Sequence, residues 1–341
     1  MLEQLQRGWR QPGWLNYAFL PLTFLYRLLH GLRYRCYKLG LCKRIQLQVP
    51  VIVVGGISVG GAGKTPLVIA LARHYREAGM KPGIICRGYG GASRSWPMAV
   101  DHATDAGLVG DEAQLMFEIS GVPVVAGPDR VRDGLMLIDK FGCDLVISDD
   151  GFQHYRLQRD ADVVVIDGEA GLGNGWCLPA GPLREPPSAV ARADAAVINI
   201  LDSSSPAPVL EEGYPPVFSV SVELGVPYNL HSGEKRALED FSGKHAHAVA
   251  GLGNPARFFT QLESAGVIVN KRAFADHHPF VESDFTGMED APILMTEKDG
   301  IKCRDMKAAQ NMWAVPATVK PEPGLLKILN SKLEGVARGS A

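Results

Sequence analysis

The residues best suited to chemistry follow the apolar run at 51–54, where the chain reads SVGGAGKT from Ser58 to Thr65. A glycine-rich turn of this kind wraps a phosphate in backbone N–H groups, and the helix after it adds its positive N-terminal end. The lysine of such a loop reaches the β- and γ-phosphates, and the threonine is a Mg²⁺ ligand. Ser58 replaces the usual first glycine. The sequence predicts a site for a nucleoside triphosphate formed by Ser58, Gly60, Gly61, Ala62, Gly63, Lys64 and Thr65.

Two adjacent carboxylates end another apolar run, CDLVISDDG, which contains Asp149 and Asp150. A phosphate-binding loop needs a carboxylate near its magnesium ion, at the end of a neighbouring buried strand. Asp167, at the end of DVVVIDG, is the alternative. The adjacent pair is favoured because two carboxylates can divide metal binding from other roles. The sequence leaves the division between them open.

Phosphoryl transfer to an alcohol also needs a carboxylate that orients the hydroxyl and takes its proton. Asp111, in LVGDEAQL, stands where a loop should lead into a helix. It could lie at the active edge of the sheet or serve only as a helix cap. His277 and His278, in ADHHPF, belong to a later segment that could close over the site.

A proline-rich segment, PAGPLREP at 179–186, carries Arg184 and Glu185. Rigid prolines beside two charged residues suit a fixed loop that contacts a charged ligand. They suit a plain surface turn equally well.

These residues require a layered scaffold, and short Val, Ile and Leu runs alternate with helical patterns along the chain. Continuous apolar runs are typical of parallel strands covered on both faces. The predicted fold class is α/β: a P-loop NTPase-like parallel sheet domain plus a second, smaller α/β domain. The predicted strands of the first domain cover 50–54, 83–86, 122–126, 144–148, 162–166 and 195–200.

A segment rich in Ser, Pro and Glu at 203–216 marks a boundary, and two strand-like stretches around a Ser-Gly turn follow it. The second stretch of strand and helix patterns restarts at 247–259. The predicted division is a membrane-associated helical segment over 1–45, a P-loop kinase domain over 46–215, a two-stranded β-ribbon linker over 216–245 and a smaller closing domain over 246–341.

The first 50 residues carry eight Lys or Arg and one acid, whereas the remainder carries 27 Lys or Arg and 36 acids. The apolar run at 14–26 is shorter than the roughly 20 residues of a simple membrane span. It is followed by arginines rather than a cleavage site. Phe24, Leu28 and Leu32 continue an apolar face at helical spacing. This pattern predicts a helix lying in or dipping into an anionic membrane surface, with a helix packed on its own protein as the alternative.

Composition limits the other function classes. The acidic body gives little support to nucleic-acid binding. The six cysteines lack paired or zinc-type spacing and are interpreted as reduced thiols of a cytosolic protein. No feature indicates an obligate protein partner.

Taken together, the motifs resemble the tetraacyldisaccharide 4′-kinase family of the lipid A pathway in Gram-negative bacteria. The matching segments, in order, are ISVGGAGKTP, RGYGG, VGDE, SDDGFQH, PAGPLRE, DHHPF and MTEKD. The resemblance implies transfer of the ATP γ-phosphate to the 4′-hydroxyl of an acylated glucosamine disaccharide 1-phosphate, forming lipid IVA on the cytoplasmic face of the inner membrane. A serine at position 58 is similar to the family's own pattern.

The same resemblance assigns roles to single residues. It implies Asp111 as the catalytic aspartate, aligned by His277 or, less favoured, His278. Lys64 and Asp150 are grouped with the catalytic residues, and Thr65, Asp149 and Glu185 with the ligands of Mg²⁺; the separate duties of Asp149 and Asp150 stay open. The phosphate of the acceptor would pair with Arg87, Arg130 or Arg184.

Two other functions stay open at this point. One is a P-loop kinase of a soluble small molecule, and the other is a nucleotide-switched membrane-binding ATPase. Both would use the phosphate-binding loop, but only an acylated acceptor gives a kinase a reason for the basic, apolar N-terminal segment.

Overall fold

The computed structural model of the chain describes residues 5, 8–10, 12–200 and 213–337. Its helices are α1 (Trp14–Ala18), α2 (Leu20–Lys38), α3 (Lys64–Glu77), α4 (Ala106–Val109), α5 (Asp111–Ser120), α6 (Arg130–Phe141), α7 (Pro255–Ser264), α8 (Glu297–Cys303) and α9 (Pro323–Ala337). Its strands are β1 (Val51–Gly55), β2 (Pro82–Cys86), β3 (Met98–Val100), β4 (Val124–Ala126), β5 (Leu145–Asp149), β6 (Ala161–Asp167), β7 (Ala195–Ile200), β8 (Val217–Leu224), β9 (Tyr228–Asn229), β10 (His245–Ala250), β11 (Ile268–Ala273), β12 (Ile293–Thr296), β13 (Met312–Val315) and β14 (Ala317–Val319).

The larger sheet has, within the described residues, nine strands in the order β14-β8-β7-β6-β1-β5-β2-β4-β3. Neighbouring strands are parallel except at the two edges, where β14 and β3 are antiparallel to their neighbours. β1 lies between β5 and β6, and Val54 of β1 is in register with Asp149 of β5. The phosphate-binding loop and the paired aspartates therefore leave the sheet side by side, because parallel strands end at the same edge.

The apolar runs predicted this sheet well. Each of the six predicted strands begins and ends within two residues of its position in the structure. The sequence missed β3, because three residues at an antiparallel edge give too short a pattern to identify. All six cysteines are free thiols.

The residues of the predicted linker over 216–245 divide between two sheets. β8 pairs in parallel with β7 of the larger sheet. β9 pairs with β13 of a smaller sheet, whose order among the described residues is β11-β10-β12-β13-β9. The two stretches therefore do not form the predicted ribbon with each other, because β8 lies between β14 and β7 in the larger sheet and β9 lies at an edge of the smaller one. Residues 203–212 of the predicted boundary lie outside the described part of the chain.

The end of the chain also differs from the predicted division. β14 pairs with β8, and α9 buries Leu325, Leu329 and Leu333 in the core of the larger sheet. Residues 317–337 thus belong to the larger domain rather than to the predicted unit over 246–341. The smaller domain is an insertion between β8 and β14. The apolar face of a helix such as α9 indicates that this face must be buried. It does not indicate which of the two sheets the helix packs against.

The N-terminal helices lie against the larger domain along one polar seam. Asn16 and Thr23 are buried there. Asn16 Nδ2 donates to the Ala180 carbonyl at 3.0 Å, and the Ala180 N–H donates to Thr23 Oγ1 at 3.0 Å. The predicted apolar face of α2 points outward, with Phe24 70% and Leu28 59% exposed. In the described part of the chain, no helix has the length and apolar character that crossing a membrane requires.

Candidate active site

The phosphate-binding loop connects β1 to α3, which begins at Lys64. Gly63 precedes it with a φ of 82°, and a side chain there would overlap the amide of Asn199. Glycine is therefore required at this position. Asn199, at the end of β7, donates from Nδ2 to the Ala62 carbonyl at 3.1 Å. A strand two positions away in the same sheet thus supports the backbone of the loop.

The departure at Ser58 has a structural explanation. Ser58 forms an antiparallel backbone bridge with Leu183, and the Arg184 N–H donates to the Ile57 carbonyl at 2.6 Å. The backbone at this position is part of a β-bridge, and an extended conformation does not need a glycine. The segment 179–186, which the sequence left open between a ligand loop and a surface turn, forms a wall of the phosphate-binding loop.

The two aspartates at the end of β5 contact different partners. Thr65 Oγ1 donates to Asp149 Oδ2 at 3.3 Å. Lys64 Nζ lies 3.6 Å from Asp150 Oδ1, and Arg184 donates to Asp150 Oδ2 at 2.6 Å. Asp150 has a φ of 48°, a conformation that non-glycine residues rarely adopt and that costs of order 1 kcal/mol or more. This backbone turn separates the two carboxylates into two sets of contacts.

Asp149 has the character of a ligand for a hard cation. It is 4% exposed, and its Oδ1 has no hydrogen-bond partner among the described residues. Burial, followed by the charges of Glu112 and Asp150, raises the pKa of Asp149 to about 7. The described residues contain no cluster of three His, Cys, Asp or Glu that could hold a metal. A Mg²⁺ bound by Asp149 and Thr65 would therefore take further oxygens from phosphate and water, as this ion commonly does.

Glu185 follows Arg184 in the chain and is buried, with 2% of its surface exposed. Its carboxylate contacts Arg192, whose guanidinium lies 4.3 Å from the ring centroid of Tyr34 in α2. Gln153 Nε2 donates to Glu185 Oε1 at 2.9 Å and to the Gly56 carbonyl at 3.0 Å. Glu185 thus supports the base of the phosphate-binding loop through Gln153, and its role as a metal ligand stays a prediction.

Asp111 and His277 meet across the two domains. Asp111 is the first residue of α5, directly after Gly110 at the N-cap, so it does not serve as the cap residue. Its Oδ2 lies 3.4 Å from His277 Nδ1, and His277 has a φ of 60°. His278 contacts Asp284 instead, with Nε2 and Oδ2 3.0 Å apart. Of the two histidines left open by the sequence, His277 is therefore the one beside Asp111.

Two lysines that the sequence reasoning missed approach this pair from α8. Lys302 Nζ lies 2.8 Å from Asp111 Oδ2. Lys298 Nζ lies 3.4 Å from His277 Nε2. One signal was available in the sequence: the segment TEKDGIK places two lysines four residues apart, which puts them on the same face of a helix.

A positively charged cavity of about 260 Å³ lies between α2 and the ends of β4 and β5. Its charged lining residues are Arg33, Arg130, Arg156 and Asp129, and Asp129 is paired with Arg156, so the arginines are in excess. Tyr37 and His154 also line it. Burial and the charges of Arg130 and Arg87 lower the pKa of His154 to about 4. Of the three arginines suggested by the sequence, Arg130 lines this cavity and Arg184 is held by Asp150. The cavity suits an anion, because arginine forks match phosphate oxygens.

Comparisons with known proteins cover nearly the whole chain. The model of a family described as tetraacyldisaccharide-1-P 4′-kinase matches residues 15–334. The tetraacyldisaccharide 4′-kinase of Alkalilimnicola ehrlichii is 43% identical over 97% of this chain and 97% of its own length. That of Hahella chejuensis is 39% identical over 92% of this chain and 91% of its own. A crystal structure of LpxK from Aquifex aeolicus in complex with ATP has a TM-score of 0.81 and 32% identity, covering 94% of this chain and 99% of that chain.

Proposed function

The chain belongs to the tetraacyldisaccharide-1-P 4′-kinase family, and we propose that it transfers the γ-phosphate of ATP to the 4′-hydroxyl of tetraacyldisaccharide 1-phosphate at a membrane surface. The product would be lipid IVA of the lipid A pathway. The observation that carries the proposal is the approach of the two halves of the site. Asp111, at the start of α5, contacts His277, and α5 packs against α3, the helix that begins at Lys64. Each of these two helices leads into a parallel strand of the larger sheet, so both helices begin at the same edge of that sheet, which supports transfer between them.

On the phosphate side, Lys64 and Arg184 supply the positive charge that the transferring phosphoryl group needs. Asp150 contacts both cations, and this places them close to each other beside the phosphate-binding loop. Phosphate oxygens would replace Asp150 as their partner. Thr65 and Asp149 would hold Mg²⁺, which neutralises charge on the phosphates when it is bound. The two aspartates thus take separate duties.

On the acceptor side, Asp111 takes the proton of the 4′-hydroxyl. His277 contacts Oδ2 of Asp111, which would leave Oδ1 for the hydroxyl. A base positioned within hydrogen-bond distance of the proton it removes contributes roughly 10²–10⁴-fold to the rate. Because His277 comes from the smaller domain, the base is fully oriented only when the domains are together. Closure also keeps water from competing with the acceptor.

The lipid surface would be met by α2. Large apolar side chains on its outward face are 48–70% exposed, namely Phe24, Leu25, Leu28, Leu29 and Leu32. A helix with an exposed apolar face and flanking basic residues binds favourably to an anionic membrane surface. The same helix supplies Arg33 to the positive cavity. We therefore assign the 1-phosphate of the acceptor to this cavity, with its acyl chains directed toward the membrane-facing side of α2.

The test is a transfer assay with γ-phosphate-labelled ATP, Mg²⁺ and purified tetraacyldisaccharide 1-phosphate in detergent micelles, read by thin-layer chromatography. A labelled lipid should form with the wild type and with the exposed control Lys81→Met, and it should be lost with Lys64→Met. Consumption of ATP without a labelled lipid would favour the nucleotide-switched ATPase. Transfer to a deacylated sugar alone would favour a kinase of soluble substrates.

A further inference from the structure

We propose that Lys298 and Lys302 are positioning residues for the catalytic pair: Lys302 fixes the carboxylate of Asp111, and Lys298 selects the tautomer of His277. This inference rests on the proposed function, since it takes Asp111 as the group that accepts the hydroxyl proton. Neither lysine touches the reacting atoms in this account.

Helix α8 brings the two lysines to the active edge of the other domain. Its N-cap, Thr296, accepts the Asp299 N–H at Oγ1, and this bond fixes the first turn. At its other end Arg304 donates to Glu118 of α5 at 2.7 Å, across the domain boundary. Residues four apart share a helix face, so both lysines point to the start of α5. Each lysine side chain is only 11% exposed.

Lys302 connects the catalytic aspartate to the smaller domain. Its Nζ lies 2.8 Å from Asp111 Oδ2, donates to the His278 carbonyl at 3.2 Å and lies 4.0 Å from Asp299 Oδ1. The ion pair with Asp111 and the hydrogen bond to the His278 carbonyl give the ammonium a defined position, and Asp299 adds a more distant negative charge. Lys302 and His277 both contact the same oxygen, Oδ2. Rotation of the carboxylate away from this position would break both contacts, and Oδ1 would be left for the acceptor hydroxyl.

Lys298 acts on the other ring nitrogen of His277. Its Nζ lies 3.4 Å from His277 Nε2, 3.1 Å from Asp276 Oδ1 and 3.6 Å from Glu112 Oε1. An ammonium can only donate, so the nitrogen that faces it must present a lone pair. The neutral ring then carries its proton on Nδ1, which faces Asp111 Oδ2. The Asp276 oxygen near Nε2 is 3.8 Å away and is already bound by Lys298.

This arrangement makes the smaller domain responsible for the geometry of the base. Its helix α8 supplies both lysines, and its DHH segment supplies His277. Proton transfer depends steeply on the position of the base relative to the hydroxyl. Loss of either lysine should therefore lower the rate of transfer more than the binding of ATP.

The kinetic test compares Lys302→Met and Lys298→Met with Lys271→Met, which removes an exposed lysine of the same domain that pairs with Glu263. We expect kcat to fall roughly 30-fold for Lys302→Met and roughly tenfold for Lys298→Met, with the KM for ATP within about twofold of wild type. Lys302→Arg should recover most of the rate, because it keeps the charge and the donors. Lys271→Met should behave as wild type. Thermal unfolding of every variant monitors folding.

The spectroscopic test reads the tautomer directly by ¹⁵N NMR of the histidine rings, with His277→Gln to assign the signal. The neutral wild-type ring should carry its proton on Nδ1, and Lys298→Met should shift the population toward Nε2–H. A wild-type ring protonated on Nε2, or a tautomer unchanged in Lys298→Met, overturns the role of Lys298. Wild-type kcat in Lys302→Met overturns the role of Lys302. If Asp111→Ala also transfers phosphate normally, the proposed function itself is wrong about its base.

Discussion

The phosphate side and the acceptor side of this site are assembled in different ways. On the phosphate side, the polar and charged groups all come from the larger domain and contact one another there, namely Lys64, Thr65, Asp149, Asp150 and Arg184. On the acceptor side, Asp111 of the larger domain contacts groups of the smaller domain, namely His277 and Lys302. We infer that the first half is ready for ATP in any domain arrangement, whereas the second half depends on closure.

The largest expected effect separates transfer from nucleotide binding. Asp111→Asn should lower kcat by about 10³-fold, because the amide cannot accept the hydroxyl proton. The dissociation constant of ATP, measured by calorimetry, should stay within about threefold, since Asp111 contacts no residue of the phosphate-binding loop in the described structure.

The matched control is Asp105→Asn, which changes an exposed N-cap carboxylate of α4 and should leave both quantities unchanged. If Asp111→Asn weakens ATP binding as strongly as it lowers kcat, the two halves are not independent and the comparison fails.

The second effect concerns the contact between the two domains, where α8 of the smaller domain packs against α5 of the larger one. Burial raises the pKa of Glu297, the first residue of α8, to about 7, against an ordinary value near 4.5. The folded state therefore binds this proton more tightly than the unfolded state, so protonation stabilises the fold. The contribution is complete below about pH 4.5 and is lost as the pH rises through about 7.

Urea unfolding at a series of pH values measures this contribution. The free energy of unfolding of wild type relative to Glu297→Gln should fall by about 3 kcal/mol over that range, because the glutamine cannot ionise. Asp305→Asn, at a nearby exposed position, serves as the control. A constant difference between wild type and Glu297→Gln across the range would show that ionisation of Glu297 does not make the free energy of unfolding depend on pH.

The smallest effect concerns the proposed contact of α2 with lipid. Phe24→Ser combined with Leu28→Ser should reduce binding to anionic vesicles by tenfold or more, since each buried apolar side chain contributes about 1.5–3 kcal/mol when fully covered. Sedimentation with vesicles measures it. Leu135→Ser, at an exposed leucine of α6, should leave vesicle binding intact. Equal loss in both proteins would mean that α2 is not the membrane-facing surface.

The sequence predicted the phosphate side more fully than the acceptor side for a physical reason. The run from Val51 to Thr65 carries its strand, turn and helix signals within one short segment. The contact of Lys302 with Asp111 depends on how two domains dock, and no local pattern encodes that docking. The same limit explains why the division of the chain after 316 was wrong.

Ser58 lies between these two cases, because its residue type is a local signal but its structural role depends on a distant contact. Its departure from the usual glycine was visible in the sequence, but the reason was not. The bridge to Leu183 depends on a loop that follows several strands later. The motif therefore shows which residues form the loop, whereas the backbone around Leu183 determines that a serine is tolerated at position 58.

The return of α9 to the larger sheet affects the order in which the protein can form on the ribosome. β1 emerges early, but the leucines that complete its core, Leu325, Leu329 and Leu333, are made after the whole of the smaller sheet. The strands of the smaller sheet all lie between Tyr228 and Val315, so this insertion can fold while its host domain is still incomplete. A chain stopped at residue 316 would keep every strand of the smaller sheet and lose part of the nucleotide domain. Residues 317–337 therefore complete the core around β1 only after the smaller domain has been made.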